Sequence, residues 1–285
     1  MIYIFCALYQ EASCLIEKYG LKRAEGFRSR VYQSGEITLA VTGTGIVGPV
    51  MALSEICQNH KKKESKDFMI NLGIAGCRPD AKEDVRGKIF IANKIHNEVT
   101  GRDFYPDMIV NSTLPEKKLI TVARPIDAGE MEEGILYDME AAFLFEAGQN
   151  YFDVARMFFI KIISDAGVSK EQDQPISSEE VKMLVFDQME NIQSVMDVLR
   201  ALSLTQRDSC EEQDKLTAAM SELLCASATM EQEIAKIIRY TRLARVDVEK
   251  ILGDLKREGR IPVSDRREGK KVLDRIKRQI LRFDT

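Results

Sequence analysis

The sequence predicts an α/β fold, a mixed central sheet flanked by helices, followed by an all-α C-terminal extension. Up to about residue 168, short runs rich in β-branched and aromatic residues alternate with segments of helical periodicity, as helices laid over a sheet require. The first such run, IYIFCA, heads the chain as a buried strand. From about Ser177 onward the apolar period is helical and strand signals fade, so a helical region follows the sheet.

Composition narrows the function classes. The 285 residues are 45% hydrophobic and 30% charged, which supports a sizeable core and argues against global disorder. A net charge of −4 gives no whole-chain case for nucleic-acid or membrane binding. Six cysteines, at 6, 14, 57, 77, 210 and 225, form no CxxC pair, and with only His60 and His96 beside them a structural zinc site is not expected. Scattered thiols suit a reducing compartment. No basic segment precedes the first strand as a secretory signal would require, and no run of roughly 18 apolar residues occurs. A soluble, cytoplasmic protein is expected.

Strands are expected at 2–7, 37–42, 68–72, 88–94, 118–122 and 157–163, and helices at 10–19, 49–59 and 138–148. The charged run KKKESKD at 61–67 reads as a solvated turn. The polar stretch AGVSKEQDQPISSEE divides the chain into a domain over 1–168, a linker over 169–177 and a helical extension over 178–285. Helices are expected there at 178–203, 208–225, 229–240, 244–258 and 267–282, with Ser178, Glu179 and Glu180 as a start signal and Gly259 as a stop. Residues 241–285 carry 14 Lys/Arg against 8 Asp/Glu, and IAKIIRYTRLARVDVEKILGDLKREGRI has the spacing of a helix-turn-helix reader. Its candidate reading helix, VDVEKILGDLKRE, is mixed in sign, which favours solvated amphipathic helices over a nucleic-acid site. A nucleic-acid partner is therefore not expected, and residues 178–285 are a candidate module for a protein partner.

Residues 43–48, GTGIVG, match GxGxxG between a strand and a helix. A dinucleotide site would also place an acid at the end of the next strand to hold the ribose, but FMINL runs on into GIAGC. What remains is a close backbone approach, at Gly45, to something bound over the sheet.

The stretch LYDMEAAFLF sets two carboxylates, Asp138 and Glu140, at the head of an apolar run, where an unpartnered charge is costly. Capping a helix is the simplest role for them. Four other pieces stand at the ends of expected strands: ALYQE with Glu11, TGTGIVG, NLGIAG at 71–76 and ISD at 163–165. Ligands of open α/β sheets bind beyond the carboxyl ends of strands, so these pieces can converge. In this order they resemble the nucleoside phosphorylase superfamily, most closely its methylthioadenosine/S-adenosylhomocysteine nucleosidase branch, over about residues 1–168. The helical region has no counterpart in that pattern.

The resemblance implies cleavage of the N-glycosidic bond between a purine and ribose, with a 5′-modified adenosine as one candidate substrate. It implies Glu11 as the carboxylate that activates water, Asp165 as general acid towards the purine N7, and Ser164 as the group orienting that acid. Asp138, Met139 and Glu140 would hold the sugar, Glu140 gripping the ribose hydroxyls and Met139 packing under the ring. Gly45, Ile74 and Gly76 would border the substrate. In the loop VTGRDFYPDM, Phe104 and Tyr105 would stack on a base or cover a subunit contact, with Arg102 and Asp103 beside a 5′ group; the alternative is a plain surface turn. A homo-oligomer is implied, and no metal or redox cofactor is.

The chemistry independently wants these residue types. Bond cleavage leaves positive charge on the sugar and negative charge on the base, so a protonated acid and an ionised carboxylate are needed side by side. Some positions depart from the pattern. Asn71 and Ile74 stand where purine phosphorylases carry Arg and Ser, so water rather than phosphate is the expected nucleophile. Asp138 replaces a Glu, and ITVARPIDAGEMEEGILYDMEA leaves no room for the helix that normally packs beside the base. Three rivals stand beside hydrolysis. They are phosphorolysis using Arg102 or Arg78, a nucleoside-binding sensor without catalysis, and a DNA-binding regulator resting on the basic tail.

Overall fold

The computed structural model describes residues 1–58, 66–78, 85–108, 114–166, 176–244 and 246–281, with backbone alone at 204–211, 242–243 and 281. Strand β1 (Ile2–Cys6) lies inside a ten-stranded sheet. Then follow α1 (Tyr9–Tyr19), β2 (Lys22–Arg23), β3 (Arg30–Ser34), β4 (Ile37–Val41), α2 (Val47–Cys57) and β5 (Phe68–Cys77). Next come β6 (Ile89–Asn97), β7 (Arg102–Phe104), β8 (Glu116–Thr121), β9 (Leu136–Asp138), α3 (Ala141–Gly148) and β10 (Met157–Asp165).

Parallel pairing joins β4 to β1, β1 to β5 and β5 to β10. β3 and β2 extend the β4 edge in antiparallel fashion. Because β10 also pairs with β6, the path β10–β6–β8–β9–β5 closes on itself as a ring, and β7 hangs on β6. The central strands FMINLGIAGC and MFFIKIISD are almost wholly buried, as parallel strands with both faces covered must be. On one face Leu15, Val185 and Met196 pack with Ile4, Leu39 and Ile160. On the other, Leu53, Leu144 and Phe145 pack with Phe5, Met69 and Phe159. Each such side chain contributes about 1.5–3 kcal/mol by leaving water.

The mixed α/β architecture is the expected one, and its six expected strands and three expected helices are all present. Three differences matter. β5 runs past residue 72 and carries GIAG into the sheet, while residues 136–138 form β9, so the helix expected from 138 begins at Ala141. Helix α4 (Ser178–Asp187) and the first part of α5 (Met189–Leu223) pack onto the sheet through Val185, Met189, Ile192 and Leu199. The first compact unit is therefore Met1–Ser203 rather than 1–168, and α5 is continuous where a break was expected at 203–208. The N-cap of α4 is Ser177, one residue before the expected start: it accepts from the Glu180 N–H, and Glu180 accepts in return from the Ser177 N–H. The expected turn at 61–67 and linker at 169–177 lie mostly outside the described residues.

The second unit, Leu204–Thr285, has its own core. Met220 and Leu224 at the end of α5 pack with Ile234 and Ile238 of α6 (Ala228–Leu243), Ile251 and Leu255 of α7 (Val248–Arg257), and Leu273 and Ile276 of α8 (Arg266–Leu281). Asp247 caps α7 by accepting from the Lys250 N–H, and Gly259, at φ +67°, ends that helix as expected. Among the described residues no helix is long and apolar enough to cross a membrane.

Candidate active site

The C-terminal half of β5 anchors the site. Glu11 sits in the first turn of α1 and is 2% exposed. One carboxylate oxygen accepts from the Leu8 N–H at 2.8 Å and the other from the Ile74 N–H at 2.9 Å. Glu11 thus completes the capping box of α1 and also accepts from the backbone of β5. Burial raises its pKa above the ordinary value; those N–H donors, with Lys161 nearby, pull it part of the way back. Gly73 makes the approach possible, since a Cβ there would stand 2.8 Å from the Glu11 Oε1.

Asp138 ends β9 and is buried against Lys161 of β10, with Nζ to Oδ2 at 2.8 Å and both side chains 1% exposed. Thr121 of β8 donates its hydroxyl to the other Asp138 oxygen at 2.7 Å and accepts from the Ala142 N–H at 3.0 Å. Asp138 also accepts from the Ala141 N–H at 3.0 Å, so it caps α3 as well as pairing with the lysine. The ion pair and two further donors to Asp138 offset the cost of burying this pair.

Glu140, 6% exposed, does not cap the helix it precedes. Its carboxylate reaches across to accept from the Gly45 N–H at 2.8 Å and bends back to the Met139 N–H at 3.3 Å. Burial, and then the neighbouring Asp138 charge, push its pKa up to about 7. Gly45 has φ +88°, a conformation that glycine adopts without strain. The close backbone approach expected there is met by a side chain of the same protein.

Asp165, at the end of β10, is exposed, and Ser164 behind it is buried. The Ser164 hydroxyl donates to the Asp165 carboxylate and lies 3.3 Å from the Ala75 carbonyl. Asp165 pairs in register with Gly76, where a Cβ would come within 3.3 Å of its Oδ1. Ile74 contributes its backbone N–H to the site, and Met139 is half-buried against the cluster around Tyr137. Beside these residues, a cleft of about 660 Å³ opens at the ends of β1 and β4, lined by Ala7, Tyr9, Gln10, Arg28, Thr42 and Thr44.

Other expected residues lie elsewhere. Phe104 is in the core with its ring 4.9 Å from that of Phe145, which leaves it no open face for a base. Tyr105 is 60% exposed, with the Lys94 ammonium over its ring. Arg102 pairs with Glu146, and Asp103 with Lys94 and His96. Asn71 is buried and donates to the Phe5 carbonyl. Among the described residues no three His, Cys, Asp or Glu side chains gather as a metal site needs. Sequence reasoning missed Lys161, Thr121 and Gly73. Lys161 carried a signal: a lone cation within MFFIKIIS poses the same burial question as the two acids of LYDMEAA.

No family model matches the sequence, and no curated protein sequence does. Solved structures do match in fold. A Helicobacter pylori MTAN variant with 5′-methylthioadenosine in its active site superposes with a TM-score of 0.55 at 13% identity, covering 69% of this chain and 97% of its own. The MTAN of Chlamydia trachomatis bound to MTA gives 0.53 at 21%, covering 70% and 98%. An Arabidopsis thaliana 5′-methylthioadenosine nucleosidase in apo form gives 0.55 at 16%, covering 70% and 95%. Nearly all of their length maps onto about 70% of this chain, and the C-terminal helices are additional. The α/β part of the chain has the fold of the methylthioadenosine/S-adenosylhomocysteine nucleosidases, a nucleoside phosphorylase superfamily fold.

Proposed function

We propose that the protein is a nucleosidase that hydrolyses the N-glycosidic bond of a purine nucleoside, with a 5′-modified adenosine as the first candidate. The observation that carries this reading is two acids set against neighbouring residues of β5: Glu11 accepts from the Ile74 N–H, and Asp165 lies in register with Gly76. Asp165 gives its proton to the purine N7 while the C1′–N9 electron pair leaves with the base. Water attacks C1′ and passes a proton to Glu11, whose burial brings it towards the pKa range of an effective base. Glu140 faces the ribose hydroxyls as acceptor, and Met139 lies beneath the ring. Ser164 orients Asp165 through its hydroxyl. The fold likeness to nucleosidases solved with 5′-methylthioadenosine supports the substrate class.

Asn71 is turned into the sheet and Ile74 offers an apolar side chain, which favours water over phosphate as nucleophile. A homo-oligomer fits the exposed Val47 and Met51 of α2, which lie next to the cleft, and a cytoplasmic setting fits the free cysteines. The test is release of free base from 5′-methylthioadenosine, adenosine and inosine, with and without phosphate, for the native chain and Asp165→Asn. Phosphate-independent release that falls by about 10²-fold or more in the variant is the expected result. Binding of nucleoside with no release from any of them would replace the enzyme with a sensor.

A further inference from the structure

Helix α8 reads RREGKKVLDRIKRQIL, with seven Lys/Arg against two Asp/Glu. Its apolar residues Leu273, Ile276 and Ile280 are buried in the core of the second unit, together with α6 and α7. With 3.6 residues per turn, Arg267, Lys271 and Arg278 fall opposite Leu273, Ile276 and Ile280, while Arg266 and Lys270 flank the buried side. Their pairing divides them. Arg275 is bound to Glu258 and Lys277 to Glu233, so those charges are matched within the unit. Arg266, Arg267, Lys270 and Lys271 are all exposed and make no ion pair among the described residues. Arg278, about two turns beyond Lys271, is exposed too, and its Nε donates to the Asp274 carbonyl. The cationic face extends over about three turns, roughly 18 Å at 1.5 Å per residue.

We propose that this face of α8 binds the phosphate backbone of double-stranded nucleic acid. Like charges held close on one helix are destabilising unless something neutralises them. An acidic protein surface or an anionic membrane would also offer charge, but each normally needs apolar anchors. None is present: among the described residues beyond Ser203 no large hydrophobic side chain is exposed. Phosphate binding needs no such anchor, because release of condensed counterions drives it. The mixed-sign helix α7 that has the spacing of a reader is not the element that carries the charge. Its neighbour α8 carries it, so contact is to backbone and without base specificity.

The test is fluorescence anisotropy of the full chain with a labelled mixed-sequence DNA duplex, titrated across about 50–200 mM salt. The comparison is Arg266→Gln/Arg267→Gln/Lys270→Gln/Lys271→Gln, with thermal melting to establish that it folds. Each phosphate contact contributes about −0.9 to the slope of log affinity against log salt. The variant is expected to lose three to four such contacts, leaving a slope flatter by about 3 and weak binding. A Lys22→Gln/Arg23→Gln control, placed on β2, is expected to leave the slope unchanged. Absence of binding at the lowest salt by the folded native chain overturns the proposal. So does full binding by the quadruple variant, an equal loss in the control, or equal competition by polyglutamate of the same charge.

Discussion

Glu140 and Lys161 are buried ionisable residues that act on stability in opposite senses. The folded pKa of Glu140 is raised from its ordinary value of 4.5 to about 7, so between those values the folded chain holds a proton that the unfolded chain has lost. Stability is then highest below about pH 4.5, falls as pH rises towards 7, and levels off above it. Glu140→Gln removes this slope and is expected to gain up to about 3 kcal/mol at pH 8 with little change at pH 4.5, read from urea denaturation at both pH values. An unchanged pH dependence would show that Glu140 is ionised throughout. Lys161 behaves the other way: its ion pair with Asp138 is sealed from water, so removing the cation strands a carboxylate. Lys161→Met is expected to lose about 3–5 kcal/mol at pH 7 in the same assay. A loss below about 1 kcal/mol would mean that the Thr121 and Ala141 donors alone satisfy Asp138.

At the scale of elements, β5 organises the site, and its glycines are the reason. Gly73→Ala would drive a methyl to 2.8 Å from the Glu11 carboxylate, which two N–H groups already fix. The expected outcome is a modest loss of about 1–3 kcal/mol in stability. Turnover should fall far more steeply, because the carboxylate must move off its donors. Equal, small effects on both would show that Glu11 is not the working base. The legible part of this element was its apolar start, FMINL, and the strand-end position of GIAG. Its extension to Cys77 was not legible, since Gly-rich sequence reads as a turn until a partner strand is seen. That partner, β9, is three residues long and was absorbed into the helix expected from 138, because Asp138 and Glu140 mimic a helix start. Glu11, Asp138, Glu140 and Asp165 were readable as strand-end acids. The long-range N–H partners were not: the Ile74 and Gly45 N–H groups reach Glu11 and Glu140 from 63 and 95 residues away, whereas those of Leu8 and Ala141 are local to the helix starts. Phe104 was misplaced for a related reason: alternation along Arg102–Phe104 turns its ring inward, and nothing local in VTGRDFYPDM discloses a three-residue strand.

On the scale of the whole molecule, the chain builds two separate apolar cores, and one helix, α5, contributes to both. Residues up to Leu199 supply the cores around the sheet, whereas Met220 through Ile280 supply the other. Cores that share no buried residue can unfold separately, so calorimetry of the intact chain should resolve two transitions. Gly269 offers a way to assign them. It lies at the start of α8 where a Cβ would fall 1.8 Å from the Leu224 carbonyl oxygen, a backbone atom with no freedom to step aside. Gly269→Ala must therefore lift α8 away from the end of α5. A loss of about 3 kcal/mol, the upper range for overpacking, lowers the melting point of a unit of this size by more than about 10 °C. Only the transition of the C-terminal unit should move. If instead a single transition shifts as a whole, α5 transmits the damage, and the two cores are one cooperative unit joined through that helix.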